Sequence, residues 1–590
     1  MVALLGLVCA LGSPSRPPQK DLSLPARRAR FERLLAAEWE FGLEEFPEYA
    51  SLLNDFRAND RWSDQSPENQ HEICRKTERF LRQFERIDPT GFSAQDAISY
   101  QMMVQSLKDA IKSYNLKQWE MPFDPFSGMQ ISVATTVPSF DFSTRRHYDD
   151  YLSRLRRLPR YMMQVVDCAQ MGMRDGMVPL DVFIPKMVAQ ARHIADAKGD
   201  ASPFVTPALK FPKSFTAAER RLYHARLVAA VARYVAPTFR RVTAFLSGPY
   251  EKRARHAPGI WSLPGGDQLY RYDLRTLTTT DYTPQQLHEL GLKQVQADLE
   301  AENAIAKQQG FSDRRAYLAA IKSDPSERFK SGDELLQRYR DDLRGIEAVL
   351  PKYFGTVPKQ PLGVFPVEAF RQATTDIAEY QQGAPDGSRP GRVMVNPRGY
   401  EHRPKSFEDS IAYHEGEPGH HLQISIGMSV KGLPKFRQFG FYSAYIEGWA
   451  LYCEGLADEI GAYKTPAARF GMLDNDMLRA CRLVVDTGVH SMHWSRQQMV
   501  DFMTSNYIIG SKDEIDAAVD RYISWPGQAC AYKTGQLAIL GLRHEAEQTL
   551  GTKFDIRAFH DELLRYGAVP LYVLQREMRD WIKLTARNGA

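Results

Sequence analysis

The sequence predicts a mainly α-helical protein with one small β-sheet. Three observations predict it: helix-start signals from about residue 27 to 350, two strand-like segments near 362 and 392, and helical patterning again from 406 onward. Ser93-Ala-Gln-Asp96 and Thr216-Ala-Ala-Glu219 have the form of capping boxes, in which a hydroxyl and a carboxylate satisfy free amides of the first turn. Thr283-Pro284-Gln-Gln286 adds proline at the first helical position, where its missing N–H costs nothing. The helix it opens can run to Gly310, a favourable stop. Stretches rich in Pro, Gly and Ser near 118–143, 199–214 and 257–280 read as irregular connections. Leu362-Gly-Val-Phe365 is short and apolar, and Arg392-Val-Met-Val-Asn396 alternates after the turn-rich Gly383 to Pro390. An edge strand here could take substrate backbone as an added strand, and Asn396 at its end is a substrate-contact candidate.

A chain of 590 residues exceeds one minimal core, so a two-lobed unit or two to four domains is expected. Residues 1–25 read as a signal segment and tail. Residues 26–590 read as one two-lobed unit: a largely helical lobe over 26–350 and a site-bearing half over 351–590. Hydrophobic residues at 43% and charged residues at 25% are ordinary globular values, which disfavours disordered and fibrous classes. A net charge of +4 predicts neither a nucleic-acid nor a membrane-surface partner. The six cysteines show no CxxC pair, which argues against a cysteine zinc site or a disulfide scaffold. No stretch reaches the roughly 18–20 apolar residues of a membrane span. The apolar run Val2 to Leu11, followed by small residues, favours an exported location; a cytoplasmic one follows if that run is not a signal.

The chemistry gathers at Ser406-Phe-Glu-Asp409, a capping-box pattern opening a helix towards His414-Glu415-Gly-Glu-Pro-Gly-His420-His421. In the familiar HExxH arrangement, histidines four apart share a helix face and hold one zinc, with the glutamate as general base. Here the fourth position is Pro418, which cannot ligate. Residue i+7 of an unbroken helix lies about 10 Å further along the axis, too far for one ion. The helix must therefore kink or bulge, and Gly416, Pro418 and Gly419 permit it. A two-residue bulge puts His420 where the second ligand belongs, with His421 as the alternative. On the following helical pattern, Glu447 and Glu454 share a face; Glu447 is the expected third ligand and Glu454 the residue orienting a ligand histidine. Glu417 reads as a turn residue and Cys453 as packed.

At these residues the sequence resembles a large bacterial family known as domain of unknown function 885. The recurring elements are His-Glu-Gly-Glu-Pro-Gly-His-His-Leu-Gln (414–423), Glu-Gly-Trp-Ala-Leu-Tyr (447–452), Asp-Thr-Gly-Val-His (486–490), the segment 522–535 and the upstream 386–391. Such proteins resemble helical zinc peptidases, including angiotensin-converting enzyme and the carboxypeptidase Taq family, which implies a two-lobed zincin-like metallopeptidase with its small sheet beside the site helix. The resemblance also implies an oxyanion donor among Tyr532, His490 and Tyr522. The cations Lys533, Arg482, Arg479 and Arg389 become candidates for a substrate's terminal carboxylate.

The expected reaction is zinc-dependent hydrolysis of short peptides, of carboxypeptidase or dipeptidyl-carboxypeptidase type, with zinc-bound water as nucleophile and Glu415 as base. Two other readings stay open: a zinc amidohydrolase acting on a non-peptide amide or ester, and a non-catalytic binding protein retaining the fold. The intact Glu415 argues against the last.

Overall fold

The structure is a computed structural model that describes residues 22–367, 372, 376–384 and 389–587. The apolar run Val2–Leu11, Cys9 and residues 386–388 of the upstream motif lie outside the described residues. Two compact units divide at Ala254 and Arg255. No helix among the described residues is long and apolar enough to cross a membrane.

The first unit is helical and includes Ala94–Asn115, Arg145–Asp175 and Ala217–Ala230. The Thr216–Glu219 box forms in both directions. Ser93 accepts from the Asp96 amide at 3.2 Å, which is half of the expected box.

The second unit holds every residue of the chemical motif. The helices and strands that position it are α1 (Gly266–Thr278), α2 (Pro284–Gln308), α3 (Gly332–Glu347), β1 (Leu362–Pro366), β2 (Ala378–Gln381), β3 (Gly391–Val395), α4 (Asp409–Glu415), α5 (His420–Ser429), α6 (Ser443–Glu459), α7 (Pro466–Ser491), α8 (Lys512–Ser524) and α9 (Ala531–Leu550), among further helices of the unit. α2 begins with the expected Thr283–Gln286 box and ends at Gln308, with Gly310 following at φ +84°. The segment 257–280 departs from the irregular reading, because α1 buries Leu269, Tyr270, Tyr272 and Leu274 along its face. Tertiary burial overrides its glycine-rich entry.

The sheet has the order β1-β3-β2, with β1 parallel and β2 antiparallel to β3. The strand before the chemical helix is therefore central. It has neighbours on both edges and leaves no edge for an added strand, contrary to the expectation above. The sheet packs on two helices: Val364, Val393 and Val395 join Leu335, Leu336, Tyr339 and Leu343 of α3 and Ala412 of α4 in one apolar core. That core fixes the helix on which His414 sits.

The Ser406–Asp409 box does not form. Residues 405–407 make a 3-10 turn, and the Ser406 amide donates to Glu327 at 2.9 Å. Asp409, in the first turn of α4, instead accepts from Nε and Nη2 of Arg338 at 2.8 and 2.7 Å.

α6 and α9 cross closely. A Cβ on Gly535 would lie 1.8 Å from the Ala444 carbonyl oxygen, and one on Gly448 would lie 2.4 Å from the Gly535 backbone. Backbone atoms cannot yield as a flexible side chain does, so Gly535→Ala should cost at least ~1–3 kcal/mol of stability. A denaturant midpoint unchanged from wild type would contradict this. Because Glu447 adjoins Gly448 and Tyr532 precedes Gly535 by one turn, the crossing brings both towards one place.

Candidate metal centre

α4 ends at Glu415 and α5 begins at His420, so the helix is broken outright between the two histidines. The Gly416 amide donates to Ala412 and the Gly419 amide reaches back to the Tyr413 carbonyl at 3.0 Å. The Glu417–Pro418 peptide is cis. A Cβ at Gly419 would sit 2.0 Å from the His414 carbonyl oxygen, so only glycine fits there. The connection is also held from outside. The Pro418 carbonyl accepts from Trp449 Nε1 at 3.0 Å and from the Cys453 thiol at 3.3 Å, both on α6. This occupies Cys453 in packing, and burial pushes its thiol well up.

The reversal folds His420 back onto His414, with ring centres 4.8 Å apart and nearly perpendicular. Nε2 of each lies 3.6 Å from Glu447 Oε2, and one donor atom from each of the three residues lies within 4.8 Å of the others. A tetrahedral ion with bonds of ~2.0–2.1 Å needs donors about 3.4 Å apart. Two imidazole nitrogens and a carboxylate oxygen are the number and type of donor such an ion takes, and the two 3.6 Å nitrogen–oxygen spacings are close to that distance. Among the described residues this is the one such group.

His414 Nδ1–H donates to Glu454 Oε1 at 2.8 Å, which directs the Nε2 lone pair into the cluster. Arg479 Nη2 stands 3.6 Å from the same Glu454 oxygen. Burial works against the His414 cation, but Glu447 and Glu454 outweigh it and raise the ring to about 9. Glu447 is held well below the usual carboxylate range by the two imidazoles, which overcome its burial. Outer partners of this kind orient a ligand and raise its basicity. Glu454→Ala should accordingly weaken zinc binding by ~10–100-fold. Unchanged affinity in a competition titration with a metallochromic chelator would remove Glu454 from this role.

His421 points elsewhere. Its Nδ1 accepts from the Tyr380 hydroxyl at 3.1 Å and its Nε2–H donates to the Gln360 carbonyl at 3.1 Å. Burial depresses it to about 4. Both nitrogens are spent on the sheet edge, so of the two adjacent histidines only His420 joins the cluster. Glu415 ends α4 beside the cluster, partly buried; burial raises its carboxyl against the pull of His420 and His414.

Tyr532 lies on α9, where burial and then the charge of Glu447 raise its phenol. Arg482, on α7, donates from Nε to the Tyr522 hydroxyl at 2.9 Å and lies 4.6 Å from the Tyr532 ring centre.

Three sequence candidates are not brought to the cluster in usable form. His490 is fully buried: its Nδ1 accepts from the Ile260 amide at 3.1 Å and its Nε2–H donates to the Tyr522 carbonyl at 3.0 Å. Burial holds it neutral, near 3, and neither nitrogen is available to an oxyanion. Lys533 is buried in an ion pair with Asp476 at 2.6 Å. Asn396 donates to the Gln372 carbonyl and accepts from the Arg398 amide, which ties down the strand end.

The Asp-Thr-Gly-Val-His segment acts as a brace. Asp486 accepts from the Tyr270 hydroxyl at 2.6 Å and from the Gly527 amide at 3.0 Å. It thereby fixes the turn at Gly527, ahead of α9 and Tyr532. Arg521 of α8 was missed by sequence reasoning. It reaches Gln528, which in turn donates to the Tyr532 hydroxyl at 3.4 Å. Its place directly before Tyr522 in the family-like segment was the available signal.

Fold and cluster define a mainly helical protein with a group of two buried histidines and one partly buried glutamate. The chain belongs to the family described as "Bacterial protein of unknown function (DUF885)", which matches residues 47–578. It is similar to a solved structure described as a "putative lipoprotein" from Colwellia psychrerythraea, at 25% identity and TM-score 0.89, over 95% of this chain and all of that one. A second, from Shewanella oneidensis and described as a "putative lipoprotein of unknown function", is 18% identical with TM-score 0.74, over 93% of this chain and 99% of that one. No match is found among curated proteins.

Proposed function

We propose that this chain is a zinc-dependent hydrolase of short peptides, a two-lobed zincin-like enzyme in which His414, His420 and Glu447 would hold the ion. The observation that carries the reading is the convergence of these three donors with an uncommitted carboxylate, Glu415, at the adjoining helix end. A purely structural zinc site has no use for that base. When bound, zinc supplies Lewis acidity that polarises a carbonyl and makes water a nucleophile near neutral pH.

The protein's own residues account for the rest. Glu415 takes the proton of the attacking water and passes it to the leaving amine. Its burial strengthens it as a base, because a desolvated carboxylate holds a proton more readily. Tyr532 would donate to the developing oxyanion: it precedes by one turn the Gly535 at which α9 crosses α6 next to Glu447, and the Glu447 charge acts on its phenol. Glu454 keeps His414 in one tautomer and orientation. An exported location fits the reading, in line with the lipoprotein descriptions of both solved relatives.

A mixed pool of tri- to hexapeptides, read by mass spectrometry, tests this. Zinc-loaded protein should cleave it, a chelator should abolish cleavage, and added zinc should restore it. Hydrolysis of non-peptide amides or esters with the peptides left intact would overturn the peptide assignment.

A further inference from the structure

We propose that Arg482, between the phenols of Tyr522 and Tyr532 and with Arg521 beside it, forms an anion subsite that takes the C-terminal carboxylate of the substrate. This deepens the hydrolase reading above and rests on it: the enzyme becomes one directed to peptide C-termini.

The argument begins with the charges around the cluster. Arg479 lies 3.6 Å from Glu454, Lys533 is paired with Asp476, and Arg314 is paired with Glu302 at 2.6 Å. Arg482 differs from all of them. Among the described residues it has no carboxylate within ion-pair distance. Its Nε is committed to the Tyr522 hydroxyl, and its buried Nη1 has no hydrogen-bond partner. The ring centres of Tyr532 and Tyr522 lie 4.6 and 5.7 Å from its guanidinium carbon, which holds the planar group in place. Asp376 is the carboxylate that acts on this region. It is 83% exposed and pairs loosely, at 3.7 Å, with Arg521. Its charge is felt at Arg482, but the two make no ion pair.

A guanidinium withdrawn from water is costly unless an anion completes it. Its geometry is matched to a carboxylate, which can engage it through two parallel hydrogen bonds. The subsite is also close to the chemistry. The Tyr532 ring centre lies 4.6 Å from the Arg482 guanidinium, and Tyr532 precedes by one turn the Gly535 at which α9 crosses α6 next to Glu447, so one side chain links the anion subsite to the donor cluster. A peptide whose terminal carboxylate sits on Arg482 would therefore place a bond near its C-terminus at Glu415. Arg521 adds a second positive charge on the Tyr532 side, through Gln528. Lys533 and Asn396 supply nothing here, because their polar atoms are already engaged.

The test uses zinc-loaded full-length protein and three matched tetrapeptide pools: free C-terminus, amidated C-terminus, and amidated with one internal glutamate. Consumption is followed by mass spectrometry. Free acids should be consumed at least ~10-fold faster than either amidated pool, as expected for a charge-assisted pair. Arg482→Gln should bring the acid-to-amide ratio near one, and Arg482→Lys should restore part of it. Thermal midpoints within a few degrees of wild type would show the variants folded. Equal consumption of acids and amides by wild type overturns the subsite while leaving the hydrolase reading intact, and preference for the internal-glutamate pool overturns the terminal assignment. If no pool is consumed, the hydrolase reading fails. The subsite is then judged by equilibrium dialysis of the same pools: selective retention of free acids, lost in Arg482→Gln, supports it, and equal retention overturns it.

Discussion

Glu415→Gln should retain its zinc and lose ~10²–10⁴-fold in hydrolysis, the usual contribution of a positioned general base. The substitution keeps the shape of the side chain at the end of α4 and removes only its capacity to take a proton. The three donors are untouched, and the break after Glu415 depends on Gly416, Gly419 and the Pro418 carbonyl rather than on this side chain. Metal content and stability should therefore match wild type. Full activity in a zinc-replete Glu415→Gln protein would assign the base elsewhere. Joint loss of metal and activity would make Glu415 part of the ion's support instead.

The second large effect separates two neighbours. His420→Ala should lower zinc affinity well beyond the ~10–100-fold typical of outer partners, because it removes one of three donors. His421→Gln should leave zinc affinity at the wild-type level and cost stability instead. Its ring bridges the Gln360 carbonyl and the Tyr380 hydroxyl, joining α5 to the sheet edge. The reverse pattern, with zinc lost on changing His421, would contradict the assignment. Parallel zinc titrations and denaturant melts of the two variants distinguish the cases.

What the sequence revealed follows the range of the forces involved. The Thr216 and Thr283 boxes are local hydrogen-bond patterns and formed as read. The Ser406 box had the same local form and failed, because Glu327 and Arg338, distant in sequence, took its partners. β2 was invisible because Ala-Glu-Tyr-Gln is only four residues long, without a β-branched side chain and with only Ala378 buried, and overlooking it made β3 look like an edge. The need for a bend between His414 and His420 was legible from Pro418 and the glycines. That the bend would be a full break was not, since the Pro418 carbonyl is held by Trp449 and Cys453 of α6. The spacing narrowed the second histidine to two residues, and the long-range partners of His421 decide between them. His490 was drawn in by its motif, although its neighbours Ile260 and Tyr522 occupy it wholly. The α6–α9 glycine crossing was equally beyond a one-dimensional reading, because Gly448 and Gly535 meet only in the folded chain.

The central claim is that three side chains of one folded unit hold a single zinc ion. It is tested most directly by elemental analysis of protein purified under metal-replete conditions, with His414→Ala and Glu447→Ala measured alongside. One zinc per wild-type chain, lost in both variants, is the expected result. Wild-type protein without stoichiometric zinc, or variants that keep it, would contradict the account.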